Sequence, residues 1–434
     1  MRWVVVGAGA AGCVVAARLV EDPSAHVVVV EPGPDLTAST TPPAVTSLDY
    51  VAALREQDRL ATTKAVRNAG GAVTDYVTGR GVGGSAAVNG LVMDLGDSAQ
   101  YQAWGWHDVA EAAVRVRVPR QIVGEELFGV VDRALLSTRR AAHPVELSVR
   151  DGRRVTTAEA YLDGARADGH VDVVVGVGVD RVAFARGRAT GVVLDDGTRL
   201  DADGVVLAAG ALGSPAILLR SGVDHVPVGI GLQEHPSVTV TLRLRPGAPR
   251  AGVATGAAWS TGGVVVTTMN HTRTDDAVGP EYGALHVALV RPRSRGRVVL
   301  DGDGHPVAHF GQLASTYDVD QLIDGLQRVG EALEHPAFGD VVEVVFRDAD
   351  GTPADFSARD GLADWVRSSD GAWLHPAASC PMGTVVDDDG RLIGTANLFI
   401  VDASVFPEIP AAPTYLPTLM LAERLAPRVR RAPE

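Results

Sequence analysis

The chain of 434 residues carries a net charge of −14 and is 46% hydrophobic, enough to bury a large core over two or three domains. So acidic a balance offers no basic stripe to a phosphate backbone, which excludes a nucleic-acid partner. Lys64 is the only lysine and stands in a polar, unpatterned stretch, while Cys13 and Cys380 are the only cysteines; Schiff-base chemistry and a disulfide framework are set aside on those grounds.

The first residues run straight into a strand. Trp3 to Val6 is continuously apolar, the pattern of a strand covered on both faces of a parallel sheet. Gly7-Ala-Gly9-Ala10-Ala11-Gly12 follows, then a helix from Cys13 to Val20 and a second strand, His26 to Val30, ending at Glu31. In such a unit Gly7 permits the tight turn, Gly9 lets backbone amides approach a pyrophosphate, and Gly12 lets helix and strand pack closely. The helix start offers unpaired N–H groups and a positive dipole end to phosphate. Glu31 is placed to take the adenosine ribose hydroxyls, and an acid there disfavours a 2′-phosphorylated nucleotide. A glycine motif alone is weak; strand, turn, helix, second strand and terminal acid at these spacings together indicate a bound dinucleotide. No charged leader precedes the strand, and no apolar run is long enough to span a bilayer, so the expected location is the cytoplasm.

Residues 33–75 show little periodicity and read as a surface excursion. Gly79-Arg-Gly81-Val-Gly83-Gly84-Ser85-Ala-Ala-Val-Asn89-Gly90 has five glycines in twelve residues. That is no helix interior, and it suits backbone lying against a planar or phosphate group. The arginines at 153–154 and 291–297 read as solvated loops. Val171–Val175 and Val177–Phe184 read as strands, with Asp195-Asp-Gly197 as a hairpin turn. Val205 to Ala209 is another buried strand, leading into a helix, Ala216 to Ser221, with Pro215 in its first turn. Val238 to Arg245 and Gly283 to Val290 suit an antiparallel sheet with one wetter face, and Leu322, Leu326, Val329 and Leu333 recur at helical spacing as a core stripe. His375-Pro-Ala-Ala-Ser379-Cys380-Pro-Met-Gly383, the strand Leu398 to Asp402 and the helix Leu419 to Ala426 come last. A histidine, a strand and then a helix start point to a base beside a cofactor.

In that order the blocks GAGAAGCVVAARL, GRGVGGSAAVNG, AAGALGSPAILLRSGV, VGIGLQEHP, HPAASCPMG and LFIVDASVFPEIP resemble the glucose–methanol–choline (GMC) oxidoreductases, and they span the chain from end to end. Arg291 to Val298 also resembles the family's Pro-x-Ser-x-Gly-x-Val segment. The resemblance implies an α/β fold, α+β overall. A Rossmann-like FAD-binding domain would comprise 1–226 and 376–434, with 33–75 and 91–170 as excursions, and a substrate domain, 227–375, would rest on a mostly antiparallel sheet. The resemblance implies FAD held at its ADP half by Gly7, Gly9, Ala10, Ala11, Gly12 and Glu31. Gly81, Gly83, Gly84, Ser85, Asn89 and Gly90 would run along the pyrophosphate and flavin, and Val179 would contact adenine. Ala209, Asp402, Ala403, Pro413 and Thr414 would complete the cofactor site. Relatives that attach FAD covalently carry histidine just before the loop asparagine; Val88 stands there, so non-covalent FAD is expected, and no metal. His375 is the implied general base, taking the hydroxyl proton of a small alcohol as hydride leaves the same carbon for flavin N5. His235, in Gln233-Glu-His-Pro236, reads as structural.

Two departures from the family pattern stand out. The chain is short, with the deficit between Asn89 and Val171 and within the substrate domain. The family's usual Asn or His, eleven residues beyond the strand aspartate, falls on Pro413, which has no donor. One lost donor in such a site costs on the order of 3 kcal/mol. Tyr415, with its longer reach and phenolic hydroxyl, is the first candidate to replace it as a catalytic group. The departure keeps open an FAD-containing lyase or photoenzyme of the same fold, and the short length and coding bias are compatible with a dehydrogenase that reoxidises reduced mycofactocin and passes electrons to a protein or quinone acceptor. Substrate identity, oxygen use and oligomeric state are not legible.

Overall fold

The structure, a computed structural model, describes residues 1–138, 141–248, 252–272, 281–347 and 351–431; the rest of the ranges read above as 91–170, 227–375 and 376–434 lies outside the described residues. Five parallel strands lie in the order Leu398–Ile400, Gly204–Leu207, Arg2–Val6, His26–Glu31, Val171–Val175. Their continuous apolar runs are explained by burial: Val4, Val5, Val27, Val29, Val205 and Leu207 are all fully covered. The helix Ala10–Leu19 packs against the C-terminal helix Tyr415–Arg431, and both contribute to the same core as the sheet. A three-stranded antiparallel sheet, Val179–Ala185, Arg188–Leu194 and Arg199–Asp201, adds Val182, Val192 and Leu194 to it.

A second core lies under a seven-stranded sheet whose pairings are all antiparallel and whose middle strands are Ser237–Leu244, Tyr282–Leu289 and Val264–Met269. Alternation in the first of these is strict. Val238, Val240 and Leu242 are fully buried among residues of the helices Thr316–Leu333 and Arg359–Ser368, while Thr239, Thr241 and Arg243 are half-buried. Among the described residues no helix is long and apolar enough to cross a membrane.

Three readings of the sequence need correction. Leu60–Asn68, inside the supposed excursion, is a strand that pairs parallel with Pro306–Gln312 and antiparallel with Val73–Gly79. Only Ala65 of its nine residues is buried, so backbone pairing holds it with no hydrophobic period to announce it. The helix after the fourth parallel strand is Gly210–Arg220, so Pro215 lies inside it. Proline cannot donate to the Ala211 carbonyl four residues back; the Ser379 hydroxyl does so instead, at 2.6 Å. Arg154, read as part of a solvated loop, has no exposed surface at all.

Candidate active site

The parallel sheet aligns four strand ends, so Gly7, Glu31, Ala209 and Asp402 follow neighbouring strands along one edge. The chain leaves the first strand toward one side and returns on the other, which puts the topological switch beside Gly7, where open α/β sheets take their ligands. A Cβ on Gly12 would fall 1.9 Å from the Gly7 carbonyl oxygen, and one on Gly84 would fall 2.7 Å from the Gly9 Cα. Those two glycines are demanded by protein packing on protein. A Cβ on Gly9 would meet nothing within 4 Å, leaving a face that a ligand can fill.

The helix that begins at Ala10 has no side-chain cap and no acid in its first turn. The Ala10, Ala11 and Gly12 amides thus lack intrahelical partners and present the positive helix end to an anion. The Gly210–Arg220 helix differs. Asp402 accepts from Gly210 N at 2.9 Å, Ser214 Oγ at 2.5 Å and Ser404 N at 2.8 Å, and Ala209 N donates to Ser214 Oγ at 3.1 Å. Burial pushes the Asp402 carboxyl up, and its side chain ties strand to helix. Glu31 accepts from Ala8, Gly33 and Gly81 at 3.0, 3.0 and 2.8 Å, which leaves one lone pair on Oε2 for a ribose hydroxyl.

The other expected cofactor residues lie on the glycine loop and on three separate segments. Gly83 N donates to the Ala8 carbonyl at 2.8 Å, and Ser85 Oγ accepts from Gly79 N at 2.9 Å. Asn89 is held by Arg154 at 2.7 and 2.8 Å, and Gly90 stands beside the Tyr50 ring. The Val179 carbonyl accepts from Arg220 at 3.3 Å, the Ala403 carbonyl from Ala378 N at 3.0 Å, and the Thr414 carbonyl from Thr418 N and Oγ1. The uncapped helix, the empty side of Gly9 and the backbone-lined loop fit the pyrophosphate of FAD.

His375 is placed by pairing of Gly371–Ala377 against Gln233–Ser237, with isolated bridges at Gln233–Ala377 and Pro236–Ala372. This brings His375 Nδ1 to 3.1 Å from His235 Nδ1, with the rings nearly perpendicular; Trp373 stands edge-on to both. His235 Nε2 lies 3.0 Å from the Pro410 carbonyl oxygen. A carbonyl only accepts, so this nitrogen carries the proton and neutral His235 has a bare Nδ1. His375 Nδ1 must then donate, which leaves the lone pair of His375 on Nε2. Burial holds both rings neutral: His235 is brought down to about 4, and His375, with His235 beside it, well below the ordinary histidine range.

Glu234 grips both backbones from behind. Its carboxylate accepts from His235 N at 2.7 Å, from His375 N at 2.9 Å to each oxygen, and from the Tyr76 hydroxyl; burial pushes it up to about 7. Leu374 and Ala378, one residue before and three after His375, adopt φ of 62° and 61°, left-handed conformations that cost about 1–3 kcal/mol each. Tyr415 is not brought to His375: it is buried with its hydroxyl 2.9 Å from Thr157 Oγ1. Pro413 offers no donor. The ring on His375 is His235, which the sequence reading left as structural; its only advance signal was the Gln-Glu-His-Pro block itself.

An open parallel sheet with a free phosphate-binding helix defines a dinucleotide-binding protein, and comparison with known proteins makes that class specific. Residues 133–237 and 292–422 match models described as GMC oxidoreductase, and residues 3–43 match one described as lycopene cyclase protein. A GMC-type oxidoreductase of the thcA 5′ region of Rhodococcus erythropolis, itself uncharacterized, is 31% identical over 97% of this chain and 97% of its own length. An oxygen-dependent choline dehydrogenase of Burkholderia pseudomallei (strain 1710b) is 27% identical over 99% of this chain and 93% of its own. That alignment runs over 549 positions against 434 residues here, so this chain lacks segments the relative carries. Pyridoxine 4-oxidase from Mesorbium loti superposes with a TM-score of 0.87 at 23% identity, covering 98% of each chain. A formate oxidase does so with 0.87 at 18%, covering 98% of this chain and 97% of its own. The chain belongs to the GMC oxidoreductase family of FAD-dependent enzymes.

Proposed function

We propose that this enzyme oxidises the CH–OH group of a small alcohol, with His375 Nε2 receiving the hydroxyl proton. The observation that carries the reading is the proton order Pro410 carbonyl, His235, His375, which leaves the lone pair of His375 on Nε2, a nitrogen with no hydrogen-bond partner among the described residues. Bound FAD supplies the hydride acceptor. The Ala10, Ala11 and Gly12 amides would hold its pyrophosphate, Glu31 its ribose, and the Gly83–Gly90 loop its remaining length. As His375 Nε2 gains a proton, the Nδ1–H bond to His235 becomes charge-assisted and strengthens, an interaction larger in the transition state than before it. Relatives and neighbours named for choline and pyridoxine support a small-molecule substrate.

Pro413 contributes no donor to the substrate oxygen, so we infer a preference for activated alcohols, whose proton leaves more readily. The same proline favours a second reading, FAD-bound chemistry without alcohol oxidation. Anaerobic mixing of the yellow holoenzyme with a panel of alcohols separates the two. Bleaching of the flavin in the dark supports oxidation, and admission of oxygen then reports the acceptor. A flavin that no alcohol reduces, together with turnover of a nitrile or carboxylate, supports the second. Release of all FAD on denaturation tests the non-covalent attachment inferred from Val88.

A further inference from the structure

Arg154 has no exposed surface. Its guanidinium donates to the Ala86 carbonyl at 3.3 Å, Asn89 Oδ1 at 2.7 Å and the Asn89 carbonyl at 2.8 Å, while Nε has no partner. All three acceptors are neutral, and no ion pair to Arg154 occurs among the described residues. Buried Arg59 is likewise without an ion pair among the described residues, its Nη2 donating to the Asp35 carbonyl at 2.7 Å, whereas two other arginines have carboxylates. Arg153, one residue away and exposed, is bidentate to Glu159 at 2.7 Å, and buried Arg424 holds Asp108 at 2.8 Å. The difference is built by a short hairpin, in which Val149–Arg150 pairs with Arg153–Arg154; alternation turns Arg153 outward and Arg154 inward. Burial brings the Arg154 guanidinium down to about 10, with the Tyr415 phenol pulling the other way. A cation buried without a counter-ion is strongly unfavourable, and this one grips the glycine loop whose Gly84 packs on the Gly9 backbone.

We propose that Arg154 supplies the counter-charge for an anionic group of bound FAD, acting through the Asn89 turn, and that the group is either the pyrophosphate or the flavin ring once reduced. The proposal rests on the FAD assignment. Without the cofactor the charge has no compensation, so FAD binding stabilises the protein beyond its ordinary contacts.

The test uses wild type, Arg154→Gln, Arg154→Lys and Asn89→Ala, each stripped of FAD and reconstituted. Flavin fluorescence quenching gives Kd, a redox titration gives the midpoint potential, and thermal denaturation gives apo and holo Tm. If the anion is the pyrophosphate, Arg154→Gln raises the Kd of FAD at least tenfold, and ADP, a probe that carries the diphosphate without the flavin, weakens in step. If it is the reduced ring, the Kd of oxidised FAD is unchanged and the potential becomes more negative. In either case apo Tm is retained and the stabilisation by FAD, or by its reduced form, shrinks. Equal falls of apo and holo Tm, with Kd and potential unchanged, would show a packing role and overturn the proposal. Should Arg154→Gln not fold, Arg154→Lys decides: it keeps the charge and loses the fork to Asn89. Retained Kd and potential support the charge role, whereas a loss as large as that of Asn89→Ala overturns it. Wild type that binds no FAD would overturn the cofactor assignment instead.

Discussion

Replacing His235 by Ala removes the acceptor for the His375 Nδ1–H, 3.1 Å away, and with it the link to the Pro410 carbonyl. Two effects on rate follow, and they differ in size. Without its acceptor, neutral His375 loses its tautomer preference, which reduces the fraction with a bare Nε2 by about twofold. As the proton arrives, the lost bond would have strengthened from about 1 to about 2 kcal/mol. Only that increment of about 1 kcal/mol counts toward the rate, roughly fivefold. Anaerobic flavin reduction should therefore slow about tenfold while FAD content stays constant. His235→Asn puts an amide oxygen near the former Nδ1 position and should recover most of the loss. The pH profile gives an independent reading. Burial holds His375 below its ordinary value of 6.5, so the acid limb of kcat/KM lies below pH 6.5 in wild type, and loss of the charge-assisted bond to neutral His235 moves it further down in His235→Ala. Unchanged reduction by His235→Ala, or His235→Asn no faster than Ala, would refute the proton order argued here.

Three further outcomes are expected. His375→Ala should slow flavin reduction by about 10²–10⁴-fold and leave FAD bound, because only its backbone N–H is used by Glu234; stopped-flow absorbance checks both. Ser379→Ala strands the Ala211 carbonyl that Pro215 cannot serve and should cost about 1–3 kcal/mol in urea denaturation. In the Pro215→Ala background the restored N–H should make that loss smaller. Glu234, near 7 in the folded protein against 4.5 ordinarily, keeps a proton the unfolded chain has released. Its contribution is full below pH 4.5 and is lost as pH rises through 7, about 3 kcal/mol in all. Wild type should therefore lose stability relative to Glu234→Gln across that window, and identical pH slopes would contradict it.

The parallel sheet was readable because strands buried on both faces are continuously apolar, and the phosphate-binding turn because glycine spacing carries its own geometry. Leu60–Asn68 was not, since a strand with one buried side chain has no period. Arg154 and Pro215 were misread for a common reason: each depends on a distant partner, the Asn89 turn in one case and Ser379 in the other. A local pattern assigns a lone arginine to solvent and a proline to a helix start, and both defaults are sound until tertiary structure supplies an exception. The catalytic region shows the same division. His375 stood out by its block, while the position eleven residues past Asp402 showed only the loss of a donor.

What that loop contributes instead is backbone. Pro407, Pro410 and Pro413 restrict φ and remove three N–H groups between residues 407 and 413. Two buried glutamines engage the polar groups that flank Pro410: Gln233 accepts from Ile409 N at 2.9 Å, Gln100 donates to the Ile409 carbonyl at 3.0 Å, and Gln100 accepts from Ala411 N at 2.8 Å. Held on both sides, the loop turns the Pro410 carbonyl onto His235, and the proton on His235 Nε2 in turn decides which nitrogen of His375 is basic. On the proposed assignment, the free nitrogen of His375 is therefore set by residues near 100, 233–235 and 407–413, with no side-chain donor at Pro413. The loss expected at that position and the place of His235 thus meet in one arrangement, in which the loop that carries Pro413 acts as a backbone clamp orienting His375 from behind.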